Sequence, residues 1–317
     1  MEVNLNNCKK IKLPTSFYAS FFLPLNIITS NNDIFLGFSG YLPPLLRLSK
    51  INKIIFIHDL GFIKYPEMYA NARKLIKQTE YSIKHANKLI VFSEYIKKEI
   101  LYFFKTINPK KIYVVYPGLD HVNIPTAGLA NYKAHKKQNQ FPYFLYVGVL
   151  KRIKNCSALF SFFYDYVMWS KNYELKLLLI GRSDGSYLSE LKKDFLYQRI
   201  SDKIIFLHDL TDTDLINYYR NALLVLNFSL EEGFCFPVLE ALTLEKNVIV
   251  NDLKLYDEFK PYYPKLIVYT SNKNTFKKIL TIIDRAKSIK PVSNEYFRSK
   301  FTWDRFTQNI YQIMLKR

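Results

Sequence analysis

A chain of 317 residues with a formal net charge of +19 is too long for one ordinary core and strongly basic. Hydrophobic residues make up 49% of it, which excludes a disordered protein and suits two packed domains of about 150 residues each. The charge fits an anionic membrane surface, nucleic acid or phosphorylated small molecules, and compositional drift would leave the same mark.

The cysteines Cys8, Cys156 and Cys235 are far apart and form no C-x-x-C pair. That excludes a disulfide framework and a zinc site, and it fits a reducing cytoplasm. The apolar stretch 15–29 follows Lys9, Lys10 and Lys12 like a signal peptide, but Ser20, Pro24 and Asn26 interrupt it. No uninterrupted apolar run reaches the length of a membrane span, so the expected location is cytoplasmic, at most peripheral to a membrane.

In chain order, short apolar strands alternate with amphipathic helices. A strand over 54–57 ends at His58-Asp59, and a helix is predicted over 71–87. A strand over 89–92 is followed by a helix over 94–104 with Ser93 as its cap. The strand 112–116 stops at Pro117-Gly118. From 121 to 142 the pattern fails, and the stretch reads as a polar, basic linker. A second block then begins with a strand over 143–147 ending at Gly148, a helix over 155–169 and a strand over 175–180 ending at Gly181. It continues with a strand over 204–207, a helix from Thr211 to Asn221 with a capping-box-like start at Thr211 and Asp214, and a strand over 223–227. A helix over 237–244, a strand over 248–250 and a final helix over 294–317 complete it. Such alternation indicates parallel sheets with helices on their faces. The expected architecture is α/β, with two Rossmann-like domains facing a central cleft. The expected parts are a first domain over 1–125, a linker over 126–142, a second domain over 143–293 and a C-terminal helix over 294–317 that packs back on the first domain.

The most informative stretch is 229–258, SLEEGFCFPVLEALTLEKNVIVNDLKLYDE. A buried strand ends at Asn227, a loop with Gly233 follows, and Pro237 suits the first helical position. The backbone N–H groups of Phe234, Cys235 and Phe236 then lie at a helix N-terminus, an anion site suited to a diphosphate. Glu232 precedes it and Glu240 sits one turn into the helix; both carboxylates can accept from sugar hydroxyls.

This stretch resembles the E-x7-E signature of family 4 of the glycosyltransferases, whose members have the GT-B fold. Typical members read EGFGLPVLEAMACG-PV where this chain reads EGFCFPVLEALTLEKNVIV. The resemblance implies that Glu232 binds hydroxyls of the transferred sugar and Glu240 the ribose of the nucleotide. A second match, YVGVLKRIKN at 146–155, is similar to YVGTLEPRKN. It implies that Lys154 binds the diphosphate, with Arg152 as its companion because Ile153 stands where the family has arginine. Gly148 and Gly181 complete the expected donor-binding set. A third match, IHDLGFIKYPE at 57–67, is similar to VHDL-F-RYPE of a branch rich in mannosyltransferases. It places His58 near the reacting sugar, with Asp59 orienting the loop. Weaker matches, VFSEYIKKEI, VVYPGLDH and FTWDRFTQNIY, carry the resemblance over about 30–317. Two departures stand out. Cys235 replaces a motif glycine and adds a Cβ beside the phosphate site. Only 57 residues precede His58, so the first domain is expected to be abbreviated.

The implied reaction is transfer of a sugar from a nucleotide-sugar with retention of configuration, carried by His58, Glu232 and Lys154. In the implied same-face displacement the leaving phosphate takes the acceptor proton, and no metal is expected. The branch points to GDP-mannose, with UDP- and dTDP-sugars open, and to a glycan or lipid-linked glycan acceptor of bacterial surface polysaccharide, as in lipopolysaccharide synthesis. Arg73, Lys77, Lys84 and Lys88 fall within an arc of about 60° on the helix predicted near 71–88, a stripe that could meet anionic lipid. A catalytically degenerate binding protein or accessory subunit of the same shape is the alternative. Nucleic acid is not expected as a partner, since no nucleic-acid motif occurs.

Overall fold

Two parallel sheets organise the chain. The computed structural model describes residues 23–29, 33–122, 141–183, 185–262, 266–269, 276, 277, 281 and 299–316. The first sheet has the order β1-β2-β3-β4, from Ile34–Gly37, Asn52–Ile57, Lys88–Val91 and Ile112–Val114. Its middle strands, β2 and β3, are buried almost throughout, as expected of parallel strands with both faces covered. The second sheet is built from β5 (Tyr143–Val147), β6 (Lys176–Ile180), β7 (Ile204–Leu207), β8 (Leu224–Asn227), β9 (Val248–Val250) and β10 (Leu266–Val268). Its order is β10-β9-β8-β5-β6-β7. The chain runs outward from β5 through β6 and β7, then returns to the other side of β5 with β8. The strand order reverses there, which opens a crevice beyond the carboxyl ends of β5 and β8.

The strands expected from the sequence form with ends shifted by a residue or two. Ser93 caps the helix Glu94–Phe103 by accepting from the N–H of Ile96, and Thr211 and Asp214 form a capping box at the start of Asp212–Asn221. The strands β1 and β10 and the short helices Gly185–Leu191 and Phe195–Ile200 were not expected. Residues 126–140 of the expected linker, 15–22 of the leading apolar stretch and 294–298 of the last helix lie outside the described residues.

The C-terminal helix, Trp303–Leu315, lies on the first sheet. Its Ile310 and Ile313 are buried among Ile54, Phe56, Ile90 and Val115. The stretch before it runs past the first lobe as well: the N–H of Leu119 donates to the carbonyl of Phe301 at 2.8 Å.

This arrangement corrects the basic stripe. Lys88 is not on the helix Ala72–His85 but opens β3, and it is buried. Its Nζ donates to the carbonyl of Ile313 at 2.6 Å and to that of Lys316, so the ammonium caps the end of the last helix. Burial, with the nearby Lys316 charge, pulls its pKa below the ordinary lysine range. Arg73, Lys77 and Lys84 remain exposed on the helix face. We expect Lys88→Ala to destabilise the protein by about 1–3 kcal/mol, because helix-end carbonyls lose a buried donor. Lys84→Ala should stay within about 0.5 kcal/mol. Urea denaturation of the two variants checks this, and equal midpoints would contradict the capping role.

Candidate active site

Beyond the carboxyl ends of β5 and β8 the two lobes enclose a cavity of about 360 Å³. The second lobe supplies Tyr146–Val149 at the end of β5, Asn227 at the end of β8 and the run 232–237. The first lobe supplies His58 and Asp59 after β2 and Phe92 after β3.

The sharpest feature in this cavity is an ion pair. Arg152–Lys154 form one tight turn that ends at Asn155, held at φ 52°, a left-handed conformation that asparagine tolerates better than most residues. The N–H of Leu230 donates to the carbonyl of Ile153 at 2.9 Å and ties this turn to the loop after β8. Lys154 Nζ then reaches Glu232 Oε1 at 2.6 Å, and Ser229 Oγ donates to the same oxygen at 2.7 Å. Burial alone would lower the pKa of Lys154, but the charge and hydrogen bond of Glu232 outweigh it and hold the ammonium above its ordinary range. A cation and an anion are therefore paired with each other on one wall of the cavity.

The run after Glu232 is set by backbone conformation. Gly233 has no room for a side chain, since a Cβ there would lie 1.7 Å from the carbonyl oxygen of His58. Its own carbonyl accepts from Ser93 Oγ at 2.7 Å, so the loop of one lobe seats on the strand ends of the other. Cys235 precedes the helix Phe236–Thr243 with φ 61° and ψ 65°, which explains why the related motif carries glycine there. The thiol is buried, with Tyr256 Oη donating to its Sγ at 3.6 Å, and burial raises its pKa well above the ordinary range. Phe234, Cys235 and Phe236 all border the cavity, with Pro237 in the first helical turn.

The remaining expected residues are distributed unevenly. Gly148 lines the cavity at φ 149°. Gly181 stands behind it: a Cβ there would lie 2.1 Å from the Gly148 carbonyl oxygen, so its role is to let the Gly148 turn approach. His58 lines the cavity with its ring 5.0 Å from that of Phe92, and its Nε2 is hydrogen-bonded to the carbonyl of Phe38. Asp59 accepts from the N–H of Gly61 at 3.0 Å, the loop-orienting role expected of it. Arg152 is not brought to Lys154. It pairs bidentately with Glu190, faces Tyr187 at 5.8 Å and lines a separate cavity of about 490 Å³. The short turn sends neighbouring side chains to opposite sides, so Lys151 and Lys154 reach the first cavity instead. Glu240 does not line the cavity either. Tyr219 Oη donates to its Oε2 at 2.8 Å, and His121 Nε2 lies 3.0 Å from its Oε1. That hydrogen bond raises the pKa of His121, against the pull of burial.

The lobes are joined by more contacts that the sequence motifs do not announce. Glu231 is buried and accepts from Tyr95 Oη at 3.0 Å, with Lys64 Nζ at 2.6 Å. Burial opposes both charges; the contact is close enough to keep Lys64 protonated above its ordinary range. Glu258, from the turn Lys254–Glu258, accepts from the N–H groups of Glu94 and Tyr95 at the start of the helix Glu94–Phe103, at 3.2 and 3.3 Å. Asp212-Thr213-Asp214 has the spacing of an Asp-x-Asp metal motif, but Asp214 is engaged with Thr211 in the capping box. Among the described residues no group of three or more His, Cys, Asp or Glu side chains is placed to hold a metal ion.

Residues 130–288 match the family model described as glycosyl transferases group 1. The O-antigen chain mannosyltransferase RfbU of Salmonella typhimurium is 25% identical over 256 residues, covering 80% of this chain and 67% of that one. The serotype-specific mannosyltransferase WbdA of Escherichia coli is 22% identical over 218 residues, 64% of this chain and 26% of that much longer one. Among solved structures, sucrose-phosphate synthase from Thermosynechococcus elongatus superposes with a TM-score of 0.73 at 18% identity, covering 99% of this chain and 82% of the other. WaaG, a glycosyltransferase involved in lipopolysaccharide biosynthesis, gives 0.71 at 12% identity, over 97% and 86%. These likenesses show the two-domain GT-B fold.

Sequence reasoning missed Lys151, Ser229, Tyr219 and His121 as neighbours of the expected site residues. Lys151, Ser229 and His121 lie within the motif stretches, but nothing local to His121 announces a partner 119 positions away. Gly233 belongs to the EGF match, but the motif does not show that it meets the His58 carbonyl. We expect Gly233→Ala to cost about 1–3 kcal/mol by forcing the loop off the strand end, and to weaken nucleotide binding with it. Chemical denaturation and nucleotide titration of this variant check the point; wild-type values in both would contradict the seating of one lobe on the other at this residue.

Proposed function

The chain belongs to the group 1 glycosyl transferases, enzymes that use nucleotide sugars, and on that footing we propose that it transfers a hexose, mannose in our reading, with retention of configuration. The donor would be GDP-mannose, and the acceptor a glycan or lipid-linked glycan of bacterial surface polysaccharide. The single observation that carries the site assignment is the 2.6 Å pair of Lys154 and Glu232 at the strand-end cavity. Support for mannose comes from the two relatives named above, both mannosyltransferases, and from the HDL-F-YPE residues around His58.

In this reading the donor diphosphate lies against the N-terminus of Phe236–Thr243, where the helix end favours negative charge, and takes the ammonium of Lys154. Glu232, released from Lys154, accepts from hydroxyls of the sugar. The acceptor hydroxyl attacks the anomeric carbon from the face that the nucleotide leaves. The bond from that carbon to the phosphate oxygen breaks, the bond to the acceptor oxygen forms, and the acceptor proton passes to the departing phosphate. Lys154 stabilises the charge that develops on the diphosphate, and no protein base is needed. His58, on the first lobe, borders the same cavity from the acceptor side. Lys151 takes the companion place first assigned to Arg152. No helix among the described residues is long and apolar enough to cross a membrane. We place the protein at the inner face of the cytoplasmic membrane, with the exposed Arg73, Lys77 and Lys84 facing anionic lipid.

A thermal-shift screen of nucleotide sugars, followed by a donor-hydrolysis assay, tests this reading. GDP-mannose should raise the melting temperature of the wild type most, and Lys154→Ala should abolish the shift. Glu232→Gln should retain nucleotide binding and lose donor hydrolysis by about 10²-fold. Equal shifts in wild type and Lys154→Ala would sink the site assignment, and a larger shift with UDP- or dTDP-sugars would overturn the donor.

A further inference from the structure

We propose that the second cavity, of about 490 Å³, is a subsite for neutral sugar units of the acceptor glycan that lie away from the bond being formed. This rests on the reading of the chain as a transferase that acts on a glycan. It gives work to Glu67 and Arg152, two motif residues that the donor site leaves unused.

The two cavities share three connections. The segment after β2 gives His58 and Asp59 to the first cavity and Glu67 and Met68 to the second. The turn after β5 gives Lys151 and Lys154 to the first and Arg152 and Asn155 to the second. The loop after β8 gives Glu232 to the first and Leu230 to the second. Both cavities therefore lie between the lobes, on two sides of the same loops. A glycan whose end is held at the first cavity, and which runs along the lobe boundary, meets the second. The volume falls within the range of about 300–1,000 Å³ usual for small-ligand sites.

The lining selects against anions and against wholly apolar ligands. Three carboxylates, Glu67, Glu190 and Asp194, accompany two cations, Arg152 and Lys193. The Arg152 guanidinium is already engaged, with both terminal nitrogens donating to the Glu190 carboxylate, one of them at 2.8 Å. A phosphate would have to break that fork and approach an acidic wall. Asp194 is engaged as well: it accepts from the N–H of Leu196 at 2.8 Å and caps the helix Phe195–Ile200. Glu67, by contrast, stands exposed on the turn Pro66–Met68. Each oxygen of Glu190 keeps a second lone-pair site beyond its bond to Arg152. Such carboxylates accept from neighbouring sugar hydroxyls, and Lys193 and the Asn155 amide can donate in return. Below this rim the lining is apolar, with Tyr187 and Leu191 buried and Leu230 half-buried. A pyranose has the matching character, with C–H groups on its faces and hydroxyls round its edge.

Calorimetric titration of the full chain with mannotriose, maltotriose and isomaltotriose, and separately with GDP, tests this without turnover. At least one trisaccharide should bind the wild type. A charge-assisted hydrogen bond to a sugar hydroxyl is worth about tenfold in affinity. Glu67→Ala, and the double variant Arg152→Ala with Glu190→Ala, should each weaken that trisaccharide by roughly this factor. The altered side chains are exposed, and both variants should bind GDP like the wild type. Lys154→Ala should do the reverse, losing GDP and keeping the trisaccharide. In turnover with GDP-mannose, both variants should raise KM for the trisaccharide about tenfold at unchanged kcat. KM for methyl α-mannoside, a single sugar that fills only the reacting position, should stay as it was. A loss of fold would move all of these together. The proposal is overturned if no trisaccharide binds the wild type, if the variants keep wild-type affinity or KM for it, or if they lose GDP. Trisaccharide binding that depends on Glu67 and Glu190, in a chain that turns over no GDP-mannose, would leave the glycan site standing and overturn the donor assignment.

Discussion

An ammonium and a carboxylate 2.6 Å apart, at the edge of a crevice between two sheets, are the interaction on which the rest of the molecule turns. Neither group is stable there alone, since burial disfavours an unpaired charge of either sign. Together they persist, and a ligand with a phosphate at one end and hydroxyls at the other can replace each partner with a group of the same character. The fold provides the place. Parallel strands direct their carboxyl ends to one side, and the reversal of strand order beside β5 leaves the loops after β5 and β8 with nothing between them.

The loops after β8 and β9 also join the lobes. Gly233 meets the His58 carbonyl, Glu231 is buried against Lys64 and Tyr95, and Glu258 reaches across to a helix N-terminus of the first lobe. Three glutamates therefore have different tasks. Glu232 faces the cavity, while Glu231 and Glu258 hold the first lobe against it. One short run thus carries both the carboxylate at the cavity and a lobe contact: Glu232 pairs with Lys154 of its own lobe, and its neighbour Glu231 with Lys64 of the other.

Much of this was legible in the sequence. The strand–helix alternation gave both parallel sheets, because buried parallel strands read as short apolar runs, and the caps at Ser93 and Thr211 were visible as residue types at fixed offsets. The placement of Lys154 and Glu232 at one cavity was legible from their motifs, as was that of His58. What could not be read was direction. Arg152 and Lys154 are two residues apart in a tight turn, and only the backbone shows that they face different cavities. Lys88 continues the spacing of a helical stripe, yet the helix ends at His85 and the lysine enters a strand. β1 and β10 are the edge strands of their sheets, each paired on one side only. His121 and Glu240 meet across the lobes, which no local pattern encodes.

The most direct test of the Lys154–Glu232 assignment is a crystal structure of the chain with a nucleoside diphosphate bound. The account predicts a phosphate oxygen within hydrogen-bonding distance of Lys154 Nζ, with Glu232 turned free toward the space where the sugar would lie. A diphosphate bound elsewhere, with the pair intact, would contradict it.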